Sequence, residues 1–296
     1  MTRREAVDLV LLAAIWGSSF LFIRIAAPAF GPVALVEVRL VSGALVLLPL
    51  VAAAIGLGAL RRHARRFALI GAINFAVPFV LTSYAMLTLT AAFTSMLNGT
   101  VPMWTALIAA LWFGERVRPV QWLGLAVGAL GVLVLVGDKI HFDRSGAGWT
   151  ETVAVGAALL GMMCYGLSAN VAKRTLAGVP PLATAAGSQI AAAALLAPAA
   201  LLTWPAQVPA AGAWTAAIVL GVLCTGLAHV LYFRLIERIG AMRAANVTYL
   251  IPLFATLWGS AFLAEPVTVR LLAGGAIVLA GTALALGVFG RAGRPG

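Results

Sequence analysis

"MLNGTVPMWTALIAALWFGE", residues 96–115, is long and apolar enough to cross a bilayer, yet it holds an Asn-Gly pair and a proline near its middle and ends on glutamate. About 20 residues at a rise of 1.5 Å span the hydrocarbon core. A proline inside such a span has no N–H, so the carbonyl four residues earlier loses its usual partner. For Pro102 that carbonyl belongs to Asn98. In hydrocarbon an unsatisfied backbone group costs several kcal/mol, so a break persists only against other protein or a wet cavity. The stretch therefore predicts a membrane helix broken where it faces something polar.

The rest of the chain is built alike. Of its 296 residues, 62% are hydrophobic and only 10% charged, against roughly 25% charged in an ordinary soluble domain. Apolar stretches recur ten times, near 7–27, 32–55, 67–88, 92–113, 119–137, 150–172, 181–203, 213–235, 242–263 and 268–289. "LVLLAAIWGSSFLFI" does not alternate apolar with polar residues as a barrel strand would. The prediction is an all-α integral membrane protein with ten transmembrane helices. The first stretch has signal-peptide features, but its apolar core is too long and Arg24 interrupts its end, so it reads as helix one.

The formal charge of +11 is informative through its placement. With the N-terminus in the cytoplasm, most Lys and Arg fall in cytoplasmic loops, among them Arg61, Arg62, Arg65 and Arg66 of "RRHARR". The positive-inside rule then puts both termini in the cytoplasm, which requires an even helix count. The basic loops suit anionic lipid headgroups, so the lipid bilayer and not nucleic acid is the expected partner. Cys164 and Cys224 fall inside predicted helices and offer no disulfide framework or metal spacing. Neither a metal nor a cofactor is expected.

The second half of the chain echoes the first. A shift of 149 aligns Trp16 with Tyr165, Ser19 with Ser168 and Arg24 with Lys173; a shift of 150 aligns Pro102 with Pro252 and Glu115 with Glu265. The predicted units are a first five-helix repeat at 1–137, an extracytoplasmic loop at 138–149, a second repeat at 150–290 and a cytoplasmic tail at 291–296. Five helices is an odd number, so the repeats are inverted. Inverted repeats around a midplane site are a common basis of alternating access in secondary transporters.

Three prolines break predicted helices near half-depth, each close to an asparagine: Pro78 with Asn74, Pro102 with Asn98, and Pro252 with Asn246. Two readings stand, kinks sealed by neighbouring side chains or a cavity lined by free carbonyls and amides. The cavity reading gives a candidate substrate site of Trp16, Ser19, Arg39, Asn74, Pro78, Tyr84, Asn98, Pro102, Tyr165, Ser168, His229, Asn246, Tyr249 and Pro252. Aromatic rings would hold an apolar side chain, while amides and carbonyls would hold an ammonium or carboxylate. His229 fits either a proton relay or a neutral hydrogen-bonding histidine. Arg24 and Glu37 share the outer depth and are predicted to pair, leaving Arg39 deeper and free for an anion. Glycines of "GLAVGALG" (124–131) and "GGAIVLAG" (274–281) are predicted to pack helices five and ten together.

These features together resemble the drug/metabolite transporter superfamily in its ten-helix EamA type. The resemblance is carried by "WGSSF" in helix one, an arginine in helix two, and the helix-four pattern of Pro102 followed by Gly114-Glu115, repeated around Pro252 and Glu265. It implies a multi-pass carrier of the inner membrane that exports small metabolites, often amino acids. Size and aromatic content resemble the YddG-like aromatic amino-acid exporters within it. Glu37, beside the expected arginine, departs from that pattern. The expected partner is a small-molecule substrate, handled by a monomer or homodimer. No Walker motif is present, so direct ATP coupling is not expected. Neither HExxH nor paired intramembrane aspartates support the alternative of an intramembrane enzyme; an open channel is the third option, separable by saturable counterflow.

Overall fold

The structure is a computed structural model and describes residues 2–55, 57–137, 139–140 and 147–286. The predicted loop at 138–149 falls largely outside the described residues, and the tail at 291–296 wholly so. Every described regular element is helical. Among the described residues ten long apolar helices follow in order: α1 Arg3–Phe30, α2 Pro32–Ile55, α3 Ala64–Ala85, α4 Ala91–Phe113, α5 Pro119–Val136, α6 Ala147–Thr175, α7 Pro181–Leu202, α8 Ala211–Ile239, α9 Val247–Leu263 and α10 Val269–Ala285. Eight of these are at least 18 residues long, while α9 and α10 are shorter apolar helices.

Ion pairs show which helix ends share a face. Asp8 of α1 meets Arg238 of α8 at 3.3 Å, and Glu115 after α4 meets Lys173 of α6 at 3.2 Å and Arg174 at 3.0 Å. These pairs lie on the face that carries the N-terminus, the near face. On the far face Lys139 after α5 meets Glu151 of α6 at 3.3 Å, and Arg24 of α1 meets Glu265 after α9 at 3.8 Å. The chain thus crosses alternately, and five crossings bring the second repeat in from the opposite side.

Packing follows the same symmetry. The first helix of each repeat lies on the fourth of the other, α1 on α9 and α6 on α4; the second lies on the third of the other, α2 on α8 and α7 on α3; and α5 packs on α10. The predicted α5–α10 contact is close because small residues line it. A Cβ added at Gly131 would stand 2.6 Å from the Val278 backbone nitrogen. With no hydrophobic drive between helices in lipid, such close backbone approach supplies the van der Waals attraction that holds them.

The repeats also share their irregularities. A π-helical turn occupies Ala72–Ala76 in α3 and another Val222–Leu227 in α8, starting 150 residues apart. Helices α4 and α9 end on left-handed residues, Gly114 at φ 65° and Ala264 at φ 52°. That turn swings the next amide back onto the helix, Glu115 N–H to Ala109 O at 3.0 Å and Glu265 N–H to Gly259 O at 3.2 Å.

The proline breaks are more varied than predicted. Pro78 follows the π turn, whose wider hydrogen bonding accommodates the missing N–H. Pro102 follows a true break at Gly99–Thr100 that splits α4 into Ala91–Asn98 and Val101–Phe113. Pro252 corrects the prediction: it lies inside continuous α9, and the break comes earlier, between the short helix Ala241–Ala244 and Val247. Neighbours repair part of the damage. The Thr282 hydroxyl of α10 donates to Gly99 O at 2.9 Å, and the Asn170 amide of α6 donates to Thr105 O at 2.9 Å and Gly166 O at 3.0 Å.

Candidate functional site

A cavity of about 370 Å³ lies at mid-depth between the repeats, with walls from α1, α2, α3, α4, α6, α8 and α9. A second space of about 370 Å³ shares Trp16, Asn74, Phe75, Ala169, His229 and Tyr232 with it and runs between Ile70, Leu176, Val179 and Pro181 at the near-face ends of α3, α6 and α7. The two adjoin along these shared residues, and the second reaches the near-face ends of the helices.

Aromatic rings make up much of the wall. Tyr232 lies 5.1 Å from Trp16 between centroids, Trp16 lies 6.0 Å from His229, His229 lies 5.9 Å from Phe75, Phe75 lies 5.6 Å from Phe79, and Phe79 lies 6.3 Å from Tyr165. Such edge-on and tilted arrangements suit the ring quadrupoles and fix the rings as a continuous apolar band.

Among the polar groups set against this band are Arg39 and His229. Arg39 is buried, its guanidinium carbon 3.6 Å from the Phe79 ring centroid, and its Nε–H donates to Thr225 Oγ1 at 2.9 Å. Its terminal nitrogens have no hydrogen-bond partner among the described residues, and Arg39 is the one Lys or Arg of those residues that lines the cavity. His229 donates from Nδ1 to the Thr225 carbonyl at 2.5 Å, since a carbonyl oxygen can only accept. Thr225 lies in the π turn of α8, completely buried, and its hydroxyl donates to Leu220 O at 2.9 Å.

Of the candidate site residues, the structure brings Trp16, Ser19, Arg39, Asn74, Asn98, Pro102, Tyr165 and His229 to the central cavity and Ser168 to its near-face extension. It does not bring Pro78, Tyr84, Asn246, Tyr249 or Pro252 there. Tyr84 and Asn246 are exposed, Pro78 and Pro252 are buried, and the buried Tyr249 hydroxyl has no partner among the described residues. Sequence gives depth along a helix, but the direction a side chain points depends on helix rotation. The same limit undid the Arg24–Glu37 pair. Arg24 turns instead to Glu265 and donates to Met86 O at 2.7 Å and Leu87 O at 2.9 Å, while Glu37 Oε2 is buried without a partner among the described residues. Nor is Arg39 wholly free, because Thr225 holds its Nε. The cavity residues Phe75, Phe79, Thr82, Met162, Cys224, Tyr232 and Thr248 were outside the candidate set. A signal for some of them existed in the 150-residue shift, which sets Phe79 against His229.

The two faces of the bundle differ. At the far face Glu265 is 8% exposed, and its carboxylate accepts the Ala91 N–H at 3.0 and 2.9 Å and the Ala92 N–H at 3.4 Å, capping the start of α4. At the near face its repeat-mate Glu115 is 44% exposed and bonded to the side chains of Lys173 and Arg174. Carboxylate at a helix N-terminus gains from both the free amides and the dipole, so the far end is the tightly joined one.

Two successive matches to the model of the EamA-like transporter family cover residues 6–137 and 152–287. The chain belongs to that family. This EamA-like transporter is a multi-pass protein of the inner membrane, and its family is one of transporters, not enzymes. It is 33% identical over 224 residues to an uncharacterized protein of Pseudomonas aeruginosa, covering 72% of this chain and 71% of that one. It is 28% identical over 279 residues to a Streptantibioticus cattleyicolor protein named a probable terminal-alkyne amino-acid exporter, covering 93% and 91% of the two chains. With the uncharacterized inner membrane transporter YedA of Escherichia coli it shares 27% identity over 286 residues, 95% of this chain and 90% of that one. A crystal structure with 22% sequence identity superposes with a TM-score of 0.68 over 99% of this EamA-like transporter and 100% of the other chain, a likeness of fold.

Proposed function

We propose that this EamA-like transporter is a secondary exporter of amino acids, aromatic or other neutral ones foremost, working by alternating access of two inverted repeats with both termini in the cytoplasm. The observation that carries the reading is Arg39, a buried cation whose terminal N–H groups have no partner among the described residues, on a mid-depth cavity walled otherwise by aromatic, aliphatic and neutral polar side chains of those residues. A guanidinium in a low-dielectric cavity calls for an anion, and its planar fork matches a carboxylate. The adjoining ring band suits an apolar or aromatic side chain. The relative named as an amino-acid exporter supports the same substrate class.

The asymmetry of the ends supports alternating access. With the near face as cytoplasm, Glu265 seals the far exit while the path past Ile70 and Val179 leads to the cytoplasm, a loading state for an exporter. In the opposite state the roles of Glu265 and Glu115 exchange, as the repeat symmetry allows. No nucleotide is needed; a substrate or ion gradient drives the cycle.

Counterflow in proteoliposomes tests this. Saturable counterflow of labelled phenylalanine, methionine or threonine is expected, with Arg39→Gln raising KM at least about tenfold, the loss of one charge-assisted contact. A protein that carries none of the three, or carries them unchanged as Arg39→Gln, rules the reading out.

A further inference from the structure

Resting on the amino-acid reading, we propose that His229 receives the substrate's ammonium group through Nε2, so that this residue makes the carrier select amino acids over carboxylates that lack the amine. The cavity needs an acceptor for an ammonium, and among the described residues no Asp or Glu lines it. His229 supplies one. Its Nδ1–H is committed to the Thr225 carbonyl, which leaves Nε2 of the neutral ring as an acceptor only; among the described residues Nε2 has no hydrogen-bond partner. Asn74 and Asn98 also line the cavity, but an amide offers donors and an acceptor and can turn either to a ligand, so it does not enforce a donor there. A ring fixed at Nδ1 and walled by Trp16 and Phe75 cannot turn in this way.

The placement also fits the size of the ligand. Arg39 and His229 are held by the hydroxyl and the carbonyl of one residue, Thr225. The carboxylate and ammonium of an α-amino acid are likewise carried on a single carbon. The two groups come from opposite repeats and are not duplicated: the sequence shifts set Ser188 against Arg39 and Phe79 against His229. A zwitterion bound between them therefore bridges the two halves. A carboxylate without the amine leaves Nε2 dry and unpaired, which a hydrogen-bonding site penalises.

The test compares competitors of phenylalanine counterflow. Wild type should prefer phenylalanine over 3-phenylpropionate, the same ring and carboxylate without the amine, by about tenfold or more. His229→Phe should bring the ratio close to one while 3-phenylpropionate competes as before; Asn98→Ala should leave the ratio unchanged. A second comparison needs only wild type. N,N-dimethylphenylalanine keeps one N–H and should compete, whereas the trimethyl derivative keeps the charge but no N–H and should fall to the level of 3-phenylpropionate. A ratio that survives in folded His229→Phe overturns the assignment, as does equal competition by the dimethyl and trimethyl compounds. In either case wild-type counterflow of phenylalanine keeps the amino-acid reading; absence of counterflow for all of phenylalanine, methionine and threonine removes both.

Discussion

Arg39 of the first repeat and Thr225 of the second are joined by a buried hydrogen bond of 2.9 Å from Nε to Oγ1. The same hydroxyl donates to Leu220 O at 2.9 Å, and the carbonyl of Thr225 takes the Nδ1 proton of His229. One small residue in a π turn thus sets the direction of both Arg39 and His229. A π turn displaces the helical register by one residue and often marks a functional site.

Thr225→Val keeps the shape and the carbonyl but removes the hydroxyl. Arg39 then holds an unpaired buried N–H, at a cost of about 1–3 kcal/mol, and its fork drifts over the Phe79 face. The expected result is a KM for phenylalanine raised about tenfold, with Thr225→Ser restoring the wild-type value. Counterflow at graded substrate concentration checks it. A Val variant with unchanged KM would show that stacking on Phe79 alone holds the guanidinium.

Glu265 and Glu115 are repeat-mates in unequal settings, so their isosteric substitutions should have unequal effects. Glu265→Gln loses the charge that bonds the Ala91 and Ala92 amides and attracts Arg24. Charge-assisted bonds of this kind contribute about 1.5–3 kcal/mol, enough to raise far-side opening about tenfold. The reporter is Asn98→Cys in a protein carrying Cys164→Ser and Cys224→Ser, labelled by a membrane-impermeant thiol reagent from the far side. Glu265→Gln should accelerate labelling about tenfold, and Glu115→Gln should not. Equal acceleration by both would mean that Glu265 is not the far-side closure.

Much of this was legible from the chain and some was not, for physical reasons. Hydropathy gave ten helices because each must fill the same hydrocarbon thickness. The 150-residue shift gave Glu115 and Glu265 as counterparts, and the structure places them at opposite faces on matching left-handed turns. Proline signalled the α4 break but misplaced the α9 break: Pro252 lies inside continuous helix, and the chain breaks before Val247 instead. Thr225 gave no signal, because its role comes from a side chain 186 positions away. The Arg24–Glu37 pair failed because equal depth does not bring two residues to facing sides.

Gly131→Ala should destabilise the protein without touching the cavity. The new Cβ would stand 2.6 Å from Val278 N, so α5 and α10 must separate, an overpacking worth about 1–3 kcal/mol. Gly156→Ala is the control, since a Cβ there meets nothing within 4 Å. Thermal unfolding in detergent should show a lower midpoint for Gly131→Ala and an unchanged or slightly higher one for Gly156→Ala. Equal midpoints would mean that the α5–α10 seam yields without cost.

Two asparagines deep in the membrane should behave oppositely, although their sequence contexts look alike. Asn170 gives its amide to the carbonyls of Thr105 and Gly166, tying α6 to the half-helix after the α4 break. Asn98 ends the half-helix before that break and lines the cavity. Asn170→Ala removes two hydrogen bonds, including the one that ties α6 to Thr105 of α4; a loss of about 1–3 kcal/mol is expected. Its KM should stay near wild type in the fraction that folds. Asn98→Ala should melt like wild type and show a raised KM for every substrate, amine-bearing or not. The check is a melting curve and a counterflow KM on each variant. A raised KM with normal melting in Asn170→Ala would move that amide from the scaffold to the substrate path.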